Sequence, residues 1–223
     1  MTKAERTVMV QTMSMEQVKK GLDRGQILSH VLPRMAAIGS MDDMEERGIV
    51  YRVYLNMAIR YYIPLDTEDQ QQAASIQITE KLLDSVGLTA QEIHDAAIEN
   101  LRGTFSIDTM AAMLSRLMGD DFDLMGDMVD SLPMWIITNQ NQRFGAASIL
   151  SADAIAAMQE RLGDRFYILP SSIHEVIAIP CGDDISSDVL ISMVREINST
   201  MVDEWERLSD SVYLCDHGQI TMA

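Results

Sequence analysis

Cysteine is scarce in this chain, basic residues are scarce, and no apolar run is long. Two cysteines, Cys181 and Cys215, are too few for a disulfide framework. No apolar run approaches the ~20 residues that span a bilayer. The opening MTKAERTVMV lacks the apolar core of roughly 7–15 residues that marks a secretory signal. A cytoplasmic setting with reduced thiols is therefore expected. Lys and Arg number 17 against 34 Asp and Glu, a net charge of −17, and the densest basic group is Lys19, Lys20 and Arg24. Such a field repels nucleic acid phosphates and anionic lipid surfaces, so neither nucleic acid nor membrane is an expected partner. A protein partner stays open. Signature motifs are missing as well: the sequence has no G-x-G-x-x-G, P-loop, kinase set, G-x-S-x-G elbow, C-x-x-C or H-E-x-x-H.

What is present is enough for a buried core. At 223 residues and 47% hydrophobic, the chain is too apolar for disorder. Eighteen methionines against four phenylalanines point to a soft core, because Met fills irregular gaps.

Read in order, residues 1–48 form a helical N-terminal segment and residues 49–223 an α+β domain, with the boundary near Gly48. Ser14 and Gln17 fit a capping box, and a second helix over Gln26–Leu32 is stopped by Pro33. The β-branched and aromatic run Ile49–Leu65 leads into a strand, TEDQQQ turns, and Ala73–Thr79 returns as another strand. A helix over Glu80–Val86 ends at Gly87. Thr89 and Glu92 box the next helix, whose inner stripe is Ile93, Ala97 and Leu101. A further helix is expected over Asp108–Met118. Residues 119–133 form an acidic linker between the two halves of the domain. Its Asp121, Asp123 and Gly126 imitate a calcium loop, but Met125 and Leu132 occupy two ligand positions, so no metal is expected there.

The stretch from Pro133 to Pro180 organises the rest. Met134–Thr138 is a strand apolar on both faces, NQNQRFG turns, and Ala146–Leu150 is expected to pair back. Ser151 caps a helix over Ala152–Leu162, followed by strands Phe166–Leu169 and His174–Ile179. Ser187 caps a last helix to about Met201, with Leu190, Val194, Ile197 and Met201 at helical spacing, and Ser211–Cys215 with Gln219–Met222 closes a hairpin at His217-Gly218. The tetrapeptide at Ala73–Ile76 recurs at Ala146–Ile149, which suggests two related strand–strand–helix units. The fold class expected is α+β: a mixed, mainly antiparallel sheet with flanking helices.

Polar chemistry concentrates in this block. Asn139, Ser171, Ser172 and His174 form a candidate pocket, with Glu175 orienting its neighbours. The competing account is that these residues tie down a tight turn after Pro170 through side-chain-to-backbone bonds, and it is the expected one. His174 and Cys181 lie about 23 Å apart if extended at ~3.3 Å per residue, which excludes a dyad. Cys215 and His217 share a face, but without further ligands at zinc spacing no metal or cofactor is expected.

The segments TNQNQRFGAASIL, LPSSIHEVIAIP and LSDSVY (Leu208–Tyr213), with YRVYLNMAIRYY and LTAQEIHDAAIENL upstream, resemble a bacterial family known as a domain of unknown function. The likeness spans roughly residues 50–216, and Asn56 stands where that family usually carries Asp. The resemblance implies no activity. The functional expectation is a non-catalytic cytoplasmic binding or protein-interaction protein. The alternative is a hydrolase-like enzyme on a small substrate, centred on Ser172, His174 and Asn139.

Overall fold

In the computed structural model, residues 14, 21–66, 74–113, 134–170, 172–182 and 186–223 are described. Gln17, the turn at 67–72, the linker at 119–133 and Ser171 lie outside them, as does the expected helix beyond Met113. The architecture is α+β, every described strand pair is antiparallel, and the chain divides into two compact units, 1–104 and 105–223.

The first unit runs α1 (Arg24–His30), β1 (Leu32–Ala37), a 3-10 turn (Ile38–Ser40), α2 (Met41–Glu46), β2 (Tyr51–Tyr54), β3 (Met57–Leu65), β4 (Ala74–Gln77), α3 (Glu80–Val86) and α4 (Ala90–Asn100). Residues 1–48 are thus not wholly helical: Leu32–Ala37 is a strand, paired with β3 from Leu32↔Tyr62 to Ala37↔Met57. Pro33 is accommodated because β1 is an edge strand, where a missing N–H leaves no ladder bond unmade. The other edge of β3 is shared end to end by β2, opposite Met57–Arg60, and β4, opposite Tyr62–Leu65. Ile59, Tyr61 and Ile63 are fully buried or nearly so, and Ile93, Ala97 and Leu101 of the α4 stripe are buried as the spacing predicts. The Thr89–Glu92 capping box forms, and Gly87 closes α3 in the left-handed region (φ 66°). Asn100 Nδ2 donates to the carbonyls of Leu28 (2.8 Å) and Val31 (3.0 Å), closing the end of α1.

The second unit is a six-stranded sheet in the order β10-β9-β7-β8-β6-β5. Its elements are β5 (Phe105–Thr109), β6 (Trp135–Asn139), a 3-10 turn (Gly145–Leu150), α5 (Ala152–Leu162), β7 (Arg165–Leu169), β8 (Val176–Pro180), α6 (Ser187–Thr200), β9 (Tyr213–Asp216) and β10 (Gln219–Met222). Leu190 and Val194 of α6 pack on Leu169, Ile179 and Val212. Alternation then turns Ile168, Val176 and Ala178 to the opposite face, where all three are buried. Both faces of the central strands are covered, as their unbroken apolar runs imply.

Several expectations are corrected here. Ala146–Leu150 is a 3-10 turn and not a strand, because both edges of β6 are already taken by β5 and β8. Asp108 does not open a helix; it lies in β5, opposite Ile136. In the first copy of the repeated tetrapeptide Ala74–Ile76 lie in a strand, whereas the second copy forms a 3-10 turn, so the echo is not a structural repeat. β8 begins at Val176, leaving His174 and Glu175 in the bend before it. Ser186, not Ser187, caps α6, accepting from Val189 N at 3.4 Å. Ser151 holds the N-cap position of α5 without a capping bond. The hairpin turn uses His217 and Gly218, both at positive φ (47° and 83°), the geometry that a two-residue turn between twisted strands requires.

One pH dependence follows for the first unit. His94 Nδ1 is 2.9 Å from the buried Tyr61 hydroxyl, and burial lowers the histidine below its ordinary value of 6.5, with Arg52 adding repulsion. The folded state therefore resists protonation more than the unfolded one. That stability is complete above 6.5 and is lost as pH falls through the depressed native value. Thermal melts between pH ~7.5 and ~5.5 should fall more steeply for the wild type than for His94→Gln; parallel curves would refute the assignment.

Candidate functional site

Two turns meet at the end of β6. The first runs from Asn139 to Gly145 and is closed by Asn139 itself: its Oδ1 accepts from Arg143 N (3.2 Å) and its Nδ2 donates to Arg143 O (2.7 Å). Gln142 and Phe144 take positive φ within it, 51° and 58°. The second follows Pro170. There Ser172 Oγ accepts from His174 N (3.0 Å) and donates to Glu175 Oε1 (3.4 Å), the side-chain-to-backbone pattern of a serine turn.

His174 joins them. Phe144 N donates to its Nδ1 at 3.2 Å, so that nitrogen is an acceptor and the ring proton sits on Nε2. Nε2 donates to Glu206 Oε1 at 3.2 Å, and the Phe144 ring lies stacked on the imidazole with centroids 5.6 Å apart. Thr138 Oγ1 donates to His174 O (2.8 Å), and Ser148 Oγ donates to Thr138 O (3.1 Å). Glycine at 145 is a steric requirement: a Cβ there would stand 2.3 Å from Thr138 Oγ1, 2.5 Å from Asn139 N and 2.6 Å from His174 O.

Asn139, Ser172, His174 and Glu175 are thus brought into one neighbourhood, while Ser171 lies outside the described residues. The side chains do not converge on a common point. Asn139 faces its own turn, Ser172 serves the backbone N–H of His174, and both ring nitrogens of His174 are engaged. Thr138 joins the cluster from the end of β6, and Phe144, Gly145 and Glu206 complete it without having been singled out in the sequence. Phe144-Gly145 closing a polar turn was the available signal for two of them; nothing in the sequence links Glu206 to His174.

Cys181 and Cys215 are free thiols, each raised above its ordinary value chiefly by burial. Cys215 is buried while His217 points outward beside Asp164 and Asp216, so the pair does not converge. Among the described residues no group of three or more His, Cys, Asp or Glu is placed to hold a metal ion.

A family model matches residues 6–217, from the N-terminal stretch to the closing hairpin. The chain belongs to that family, a family of unknown function (DUF5688). The match begins well upstream of residue 50, and so includes the strand β1. No curated protein and no solved structure matches the chain. Two of the stretches that carried the resemblance meet in the core, where Leu169 and Ile179 pack with Val212, and just before the second of them Ile173 N donates to Glu206 O at 2.9 Å. Within that segment Ser209 Oγ accepts from Tyr213 Oη (2.9 Å) and Ser211 N (3.1 Å), and Asn198 of α6 donates to Ser209 O and Asp210 Oδ1.

These bonds hold the chain after α6 at both ends and display what lies between. Leu190, Val194 and Asn198 form the buried stripe of α6. Ile197 and Met201 do not share it. They belong to a second stripe at four-residue spacing, Val189, Met193, Ile197 and Met201, exposed by 58, 43, 36 and 83%, with Trp205 beyond it at 68%. Exposed large apolar residues scattered singly are ordinary; five within one helix and its C-terminal loop form a patch.

Gly145→Ala should lose at least the ~1–3 kcal/mol of a typical overpacked site, since the clashing atoms include backbone. Gly182→Ala, where nothing lies within 4 Å, should change stability by less than ~0.5 kcal/mol in the same urea melts. Asn139→Ala and His174→Asn should each cost about 1–2 kcal/mol. Because both hold the Asn139–Gly145 turn, the double variant should fall short of the sum by at least ~0.5 kcal/mol; strict additivity would show that the two anchor separate structures.

Proposed function

We propose that the chain is a non-catalytic, cytoplasmic protein-interaction protein whose working surface is the α6 stripe and Trp205. The observation that carries this reading is the second apolar stripe, displayed on a helix whose other stripe already fills the core. Burying such a surface gains about 25 cal/mol per Å², which a partner would supply. The polar cluster supports the reading from the other side. Its groups bond to one another and to backbone, as a scaffold does, and through Glu206 they fix the loop that carries Trp205.

The hydrolase-like alternative has less support. Ser172 Oγ accepts from the backbone N–H of His174 and donates to the Glu175 carboxylate, while the ring nitrogens serve Phe144 and Glu206, so the histidine is not placed as the hydroxyl's base. The cytoplasmic setting is supported by the two free thiols, and a bacterial one by the family resemblance. No helix among the described residues is long and apolar enough to cross a membrane.

A photo-crosslinking residue at Met193, tested in the cell of origin, should yield a discrete protein adduct that disappears when Met201 and Trp205 are both changed to Ser. The same residue at the exposed Gln219 of β10 should yield none. Val189→Ser should leave stability within about 0.5 kcal/mol, as for an exposed position without special contacts. Equal adducts at both positions, or none at Met193, would defeat the proposal.

A further inference from the structure

Resting on that reading, we propose that the occupant of this surface is a basic amphipathic helix of another protein, laid along α6 with its apolar stripe on Val189, Met193, Ile197 and Met201. Residues at four-residue spacing form the ridge that helices present to one another when they interdigitate, so an uncovered ridge of this kind fits the groove of a second helix. From Val189 to Met201 it is about 18 Å long at 1.5 Å per residue, three turns. Two of its four side chains are methionines, whose unbranched thioethers adapt to a partner's contour, and Trp205 adds an aromatic anchor at one end.

Charge selects the partner's sign. Exposed Asp188, Glu196, Asp203 and Glu204 lie along this helix and loop, against Arg195 as the exposed base of the same stretch. Arg207, the next base, is half-buried and donates from Nε to Val202 O. The net charge of −17 extends the same field over the chain. A helix flanked by Lys and Arg gains from that rim in approach and register. A second copy of the chain would set the acidic rim against itself, and an anionic membrane would be repelled likewise.

The test uses the full chain with Trp135→Phe, leaving Trp205 as the sole tryptophan. The probes are an 18-residue amphipathic peptide of Leu and Lys and its counterpart with Glu in place of every Lys. The Leu–Lys peptide should shift Trp205 emission to shorter wavelength and saturate, bind about tenfold or more tighter than the Leu–Glu peptide, and weaken several-fold as salt rises. The combined variant Val189→Ser, Met193→Ser, Ile197→Ser should lose the shift, whereas Val53→Ser, exposed in the first unit, should keep it. Equal binding of both peptides, salt-independent binding, or self-association through the stripe would overturn the basic-helix proposal while leaving an interaction surface in place. Failure of both peptides on a chain that still gives the Met193 adduct would also overturn it alone. Failure of both peptides with no adduct would overturn the interaction reading as well.

Discussion

The absence of a β-carbon at residue 145 is the constraint on which the second unit turns. Three backbone or side-chain atoms, Thr138 Oγ1, Asn139 N and His174 O, crowd the place a Cβ would occupy. Only glycine lets the chain leave β6, fold back through the Phe144 bend and enter the 3-10 turn that carries Ala146 to Ile149 into the core. That close approach also brings the Phe144 amide to His174. The histidine is thereby held in one tautomer, with its other nitrogen aimed at Glu206.

From Glu206 the constraint passes to the surface. The backbone bond from Ile173 and the ring bond from His174 grip one residue from both sides, and the neighbouring residue is Trp205. On the far side Asn198, buried in α6, ties the helix to Ser209 and Asp210. The cluster ties two turns and this loop together. Asn139, Ser172 and His174 each have hydrogen-bond partners, the condition under which buried polar groups stabilise rather than cost. The consequence is an apolar ridge offered to solvent by an acidic chain.

Much of this was legible along the chain. Gly87 and the Thr89–Glu92 box marked their helix boundaries, the two-sided apolar runs at Ile136 and Val176 marked buried strands, and His217-Gly218 marked a hairpin. The polar turn after Pro170 was legible as turn chemistry, because serine hydroxyls bond nearby backbone whatever surrounds them. Such signals are local: a cap, a period of two or a left-handed glycine acts within a few residues of itself.

What tertiary structure alone decided was pairing and exposure. Ala146–Leu150 has a strand's composition, yet β6 had no free edge to offer it. Gln26–Leu32 reads as a helix halted by Pro33, with no sign of the strand Leu32–Ala37, yet the long strand β3 had an edge that tolerated a proline. Ile197 and Met201 match Leu190 and Val194 in type and spacing, yet Leu190 and Val194 pack on Leu169, Ile179 and Val212 while Ile197 and Met201 are left exposed. The sequence determined where elements begin and end and which surfaces are apolar, because these depend on neighbours in the chain. Which apolar surface is buried depends on residues far away, such as Glu206 for His174, and that distance carries no local signal.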